Sequence, residues 1–176
     1  MFSVFNKRLL VSFLLISIGI DFFAQDVFDA SRKGNVERIK ELMKINPDTI
    51  HKKNEAGFLP LILAGYHGQL KVVEFLLENR VDINATSPEG PVILGACYKG
   101  NLELVALLIK NKADVNVQNE IGTTALIYAV IANNIELVKL LLKNGAKKEL
   151  EEKSGRTALG YARMYGFKEL ELVLSN

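Results

Sequence analysis

The chain has 176 residues, 49% of them hydrophobic and 24% charged, with 22 Lys and Arg against 20 Asp and Glu for a formal net charge of +2. That composition excludes intrinsic disorder, and 13 Gly with 4 Pro exclude collagen-like and linker-type chains. A balance so near neutrality offers no long-range attraction for polyphosphate, so nucleic acid is not an expected partner.

The N-terminus carries Lys7 and Arg8, then an apolar run from Leu9 to Ile20, then Asp21, Phe22, Phe23, Ala24 and Gln25. This order predicts a cleavable secretory signal peptide over residues 1–24, with Ala24 before the cut and Phe22 at a position that prefers a smaller side chain. The run is shorter than the roughly 20 residues a spanning helix needs, so no stable membrane insertion is expected after cleavage. An uncleaved membrane anchor is the alternative. No Cys follows the run to accept a lipid. Removing residues 1–24 takes away Lys7, Arg8 and Asp21 and leaves basic and acidic side chains almost balanced. Cys97 is the chain's one cysteine, so an exported form has no internal disulfide and depends on packing alone.

From Asp26 onward the chain repeats itself. Val27 to Met43 contains the spacing of the later units but places Glu37, Arg38, Lys40 and Glu41 where those units are apolar. Next come three units with matching segments: Gly68 to Leu77, Gly100 to Ile109 and Asn133 to Leu142, whose starts are 32 and 33 residues apart. Gly57, Gly90, Gly122 and Gly155 recur in the same register, and Asp82-Ile83-Asn84 matches Asp114-Val115-Asn116. Each unit reads as a short apolar helix, a Gly or Asn turn, a longer apolar helix and a polar, hairpin-like loop. The longer segments are apolar on more than one face, as in Leu70, Val72, Val73, Phe75, Leu76 and Leu77, so each needs neighbours on both sides. Gly68, Gly100, Asn133 and Gly166 stand where the first helix must end in a left-handed residue. The last unit, from Gly155 to Leu174, is again more charged.

A period near 33 with this internal order resembles the ankyrin-repeat family, of an exported bacterial type, over residues 25–176. The resemblance implies an all-α solenoid of about five units: an N-terminal cap at 26–53, repeats at 54–86, 87–118 and 119–151, and a C-terminal cap at 152–176. Two departures stand out. The family's Thr-Pro-Leu-His stretch appears as Leu59-Pro60-Leu61-Ile62, Thr124-Ala125-Leu126-Ile127 and Thr157-Ala158-Leu159-Gly160, without its histidine and the loop hydrogen bonds that residue makes. The interval from Gly90 to Gly100 is also one residue shorter than its counterparts, a deletion near Pro91 that leaves the local geometry open.

Residues that suggest chemistry have plainer roles. Two His and one Cys lack ligand spacing for a metal site, no nucleophile elbow occurs, and no glycine-rich phosphate loop is present, so neither catalysis nor a metal or cofactor is expected. Cys97 falls where the family has a small buried alanine, which implies an inert packed thiol; a redox role is the rival reading. Asp82, Asn84, Asp114 and Asn116 repeat with the period, which implies turn capping in place of calcium binding. Asn84-Ala85-Thr86 matches a glycosylation acceptor, but the repeat already explains the asparagine.

What remains is recognition. The resemblance implies a concave binding side made of loop tips and first-helix ends, which carry Phe58, Tyr66, His67, Tyr98, Lys99, Ile121, Ile131, Met164 and Tyr165, with Glu55, Glu89 and Arg156 as further loop-tip residues. Tyr66 and Tyr98 are the leading candidates because a tyrosine can bury its ring while its hydroxyl stays wet. The expected activity is binding of another protein by a monomeric, non-enzymatic module, periplasmic or secreted. A toxin-neutralising immunity protein, a scaffold for envelope enzymes and an effector acting on a host protein are the competing biological settings.

Overall fold

The computed structural model describes residues 26–175, and the signal peptide expected at 1–24 lies outside them. Helix α1 covers residues 26–33, followed by α2 (Val36–Ile45) and a single 3-10 turn at Pro47–His51. Four helix pairs follow: α3 (Pro60–Tyr66) with α4 (Leu70–Glu78), α5 (Val92–Tyr98) with α6 (Leu102–Lys110), α7 (Ala125–Ile131) with α8 (Ile135–Lys143), and α9 (Ala158–Tyr165) with α10 (Lys168–Ser175). Among the described residues the only β pairing is an isolated antiparallel bridge between Gln118 and Thr124 at a loop. The architecture is the all-helical solenoid that the spacing predicts.

The short helices start where the sequence provides a stop to the preceding extended segment. Thr124 and Thr157 accept the amides of Ile127 and Gly160 on their hydroxyls, both at 3.1 Å, while Pro60 occupies the first turn of α3, where its missing N–H costs nothing. Each short helix ends at a residue with left-handed backbone: Gly34, Gly68, Gly100, Asn133 and Gly166 have φ between 50° and 76°. The long helices then begin at Asn35, Asn101 and Asn134, whose side chains accept the amides of Arg38, Leu104 and Leu137. Gln69 holds the equivalent place in α4 but reaches backwards instead, donating to the Arg32 carbonyl at 2.8 Å and so tying α4 to α1.

Packing follows from residue size. α3, α5, α7 and α9 lie side by side in an inner row, and α2, α4, α6, α8 and α10 form a more loosely touching outer row. The inner row closes up because its residues are small at the contacts: a Cβ added to Gly65 would lie 2.1 Å from Val92 Cγ2. Closer inner packing curves the stack and leaves its concave side along the first helices and loop tips. Val72, Val73 and Leu76 and their counterparts in α6 and α8 are fully buried, while Leu70, Phe75 and Leu77 are half-buried against the neighbouring unit, which explains the broad apolar face. The outer surface of α2 carries its charges in ion pairs, Arg38 with Asp26 and Glu41, and Lys40 with Glu37.

The deletion near Pro91 is absorbed before the helix. One residue separates the tip glycine from the helix cap in the neighbouring units, Phe58 in one and Thr123 in the other, whereas Gly90 is followed directly by Pro91 as cap of α5. Helix length is therefore kept at seven residues in α3, α5 and α7. The missing family histidine is replaced by local partners: Asn119 Oδ1 accepts from the amides of Ile121 and Thr123, Asn54 Oδ1 accepts from the Phe58 amide, and Ser87 donates to the Gly90 carbonyl.

Candidate functional site

The inner helices end on the concave side with Tyr66, Tyr98, Ile131 and Met164 one per unit. Tyr66, Tyr98 and Met164 are 40%, 52% and 50% exposed, a level that polar surface residues usually show and large apolar ones do not. Ile121 at a loop tip and Tyr165 beside Met164 are also exposed, as are His67 and Lys99. Ile131 and Phe58 differ from the expectation of free side chains. Both are half-buried and pack against the core, because each is apolar at a position that meets the adjacent unit.

The exposed rings are ordered against each other. Tyr66 and Tyr98 stack with centroids 6.3 Å apart and planes 11° from parallel, and Tyr98 meets Tyr128 edge to face at 5.5 Å. His67 lies edge-on to Tyr66 at 5.5 Å, and the Lys99 ammonium sits 4.3 Å from the Tyr66 centroid and 5.7 Å from that of Tyr98. Tyr165 stacks on Tyr161 and contacts Phe167, so the C-terminal unit has a separate aromatic cluster.

Between the loop tips and the inner helices a groove of about 520 Å³ is lined by Phe58, Ile62, Leu63, Tyr66, His67, Glu89, Gly90, Pro91, Leu94, Gly95, Tyr98 and Tyr128. Its position has a sequence cause. One turn before the stripe residues, the floor of the concave side carries Leu63, Gly95, Tyr128 and Tyr161 in successive units. Gly95 contributes no side chain, and the same unit lacks the residue that Phe58 supplies in its neighbour. Both absences fall at one place, and the groove opens there.

Phe58, Tyr66, His67 and Tyr98 of the expected residues line this groove, and Lys99 covers its tyrosines from outside. Ile121, Ile131, Met164 and Tyr165 do not reach it. Glu89, expected at a loop tip, also lines the groove, and Gly95 and Tyr128 are lining residues outside the expected set, although their spacing of three from the stripe marks both. Tyr128 is half-buried and its hydroxyl accepts from Asn119 Nδ2 at 3.1 Å. Burial first, and then the Glu89 carboxylate, push the Tyr128 hydroxyl above the usual tyrosine range.

The other candidates have structural roles. Cys97 is fully buried and desolvation pushes its thiol well above the ordinary range, so it packs as a small hydrophobe. Asp82 and Asp114 accept the amides of Asn84 and Asn116, and the asparagines accept in turn from Asp114 and Lys147 of the following unit. Among the described residues no group of three or more His, Cys, Asp or Glu is placed to hold a metal, and no helix is long and apolar enough to cross a membrane.

The family model for ankyrin repeats (3 copies) matches residues 1–87 and 93–175, and the break between the two stretches brackets the shortened connection at Pro91. Ankyrin repeat and SAM domain-containing protein 6 of Rattus norvegicus is 37% identical over 59 residues, which is 34% of this chain and 7% of that protein. Ankyrin repeat and SAM domain-containing protein 3 of Homo sapiens is 36% identical over 64 residues, 36% of this chain and 10% of that protein. Ankyrin repeat-containing protein ITN1 of Arabidopsis thaliana is 36% identical over 61 residues, covering 34% of this chain and 10% of that protein. The matched segments thus span a tenth or less of these relatives. With matches over both halves and a stack of helix pairs at the family's period, the chain belongs to the ankyrin-repeat family.

Proposed function

We propose that this chain is an exported, non-enzymatic interaction module that holds a partner protein on its concave side, with the groove between Tyr66 and Tyr128 as the centre of contact. Ankyrin repeats commonly serve as protein-binding modules, which supports the general activity. The observation that carries the site is the exposed, stacked pair Tyr66 and Tyr98 at the mouth of the groove. Rings held in place before association lose little freedom on binding, so a modest contact area gives useful affinity.

Export is supported by Lys7, Arg8 and the apolar run ending before Ala24, and it sets the periplasm or the extracellular medium as the place of action. N-terminal sequencing of the mature protein tests this part: Gln25 as the first residue agrees with it, and an intact Met1 on protein held in the membrane contradicts it. The binding site is tested by replacing Tyr98 with a photo-crosslinking amino acid in the native organism, beside the same replacement of Lys139 on the outward face of α8. Adducts at position 98 and none at 139 are expected. Equal adducts at both, or none at 98, contradict a concave site.

A further inference from the structure

Within the concave groove we infer a subsite for a basic side chain, the lysine or arginine of a partner polypeptide, held between the tyrosine rings and the Glu89 carboxylate. The inference rests on the concave-face reading above and adds the chemistry of the residue that enters. Among the described residues lining the groove, Glu89 is the one carboxylate, and no lysine or arginine lines it. The rest of the wall is mainly apolar or aromatic. A partner that covers this groove removes water from Glu89, and a carboxylate left there without a counter-charge opposes binding. A cation removes that penalty. The aromatic faces add to the selection, since Tyr66, Tyr98 and Tyr128 present rings to the same space and ring faces attract cations. The chain's own Lys99 shows the contact geometry, its ammonium lying over the Tyr66 ring 4.3 Å from the centroid. Shape agrees with charge. Gly95 leaves the floor open for a long side chain to lie flat, where Leu63 and Tyr128 fill the corresponding places in the adjacent units.

The full-length chain, labelled with ¹⁵N, is titrated with N-acetyl-arginine methylamide and, separately, with the citrulline analogue, which matches its shape without the charge. The arginine compound is expected to shift the amides of Gly90, Gly95 and Tyr98 saturably, and the citrulline compound to bind at least about fivefold more weakly. Glu89→Gln is expected to lose about fivefold or more for arginine only. Gly95→Leu, which copies the residue of the preceding unit, is expected to block the subsite, and Lys99→Gln to tighten it by removing a competing like charge. Equal binding of the two compounds, no saturable shift up to about 50 mM, or unchanged arginine binding by Glu89→Gln overturns the subsite. The two levels separate cleanly. A partner that crosslinks at position 98 equally well in the Glu89→Gln background keeps the concave site and removes the basic subsite. Arginine binding without any adduct at 98 removes the concave protein site.

Discussion

Gly65 and Gly95 lie in adjacent units of the inner row at different places in the repeat, and their surroundings assign them opposite roles. A Cβ at Gly65 meets Val92 at 2.1 Å, closer than any side chain tolerates, whereas one at Gly95 meets Tyr66 at an ordinary 3.5 Å. Gly65→Ala is therefore expected to lose about 1–3 kcal/mol in urea unfolding through overpacking. Gly95→Ala is expected to stay within about 1 kcal/mol of wild type, with helix propensity in its favour. Backbone strain offers a second contrast. Arg80 and Lys112 adopt φ of 62° and 70° after α4 and α6, at the place where the next unit has Gly145. Lys112→Gly should raise stability by about 1 kcal/mol, and an unchanged or lower denaturation midpoint would contradict the strain. Cys97 gives the pH dependence. Its thiol stays neutral in the folded state and ionises near about 8.5 once unfolded, so its contribution is complete below that range and declines as pH rises through it. Cys97→Ala should flatten stability between about pH 8 and 10 relative to wild type, while the native thiol resists a disulfide reagent until the protein unfolds.

At the scale of elements, neighbouring units are joined by side chains that the period places one above another. Asn116 accepts from the Lys147 amide at 2.8 Å and donates to the Gly145 carbonyl at 3.0 Å, so one exposed asparagine bridges two units twice. Asn116→Ala is expected to cost about 1–2 kcal/mol, and Asn84→Ala, which loses a single bond to the Asp114 amide, less than that. Helix pairs, their turn residues and these capping asparagines are legible in the sequence because each depends on local spacing and backbone conformation. The path of the chain at Pro91 is not, since a missing residue can be taken from the loop or from the helix. The structure takes it from the loop because α5 must keep its length to pack between α3 and α7.

Across the whole molecule, curvature brings the first-helix ends into one row, which the stripe of Tyr66, Tyr98, Ile131 and Met164 already suggests in sequence. Exposure along that row is uneven for reasons that act between units: Ile131 is drawn against the core, and the groove forms where Gly95 and the shortened loop coincide. Neither effect follows from periodicity, because both depend on how far a side chain reaches into the next repeat. The same between-unit geometry brings Glu89 of one loop near Tyr128 of the following helix, a pairing that no linear spacing marks.

On the function proposed above, Tyr66 and Tyr98 serve recognition and contribute little to folding. Tyr66→Ala combined with Tyr98→Ala, compared with wild type for melting temperature and for retention of partners from envelope and secreted fractions, tests it most directly. A melting temperature within a few degrees of wild type and a partner affinity weakened by about 2 kcal/mol or more are expected. A large fall in melting temperature, or the same proteins retained equally by both forms, would contradict it.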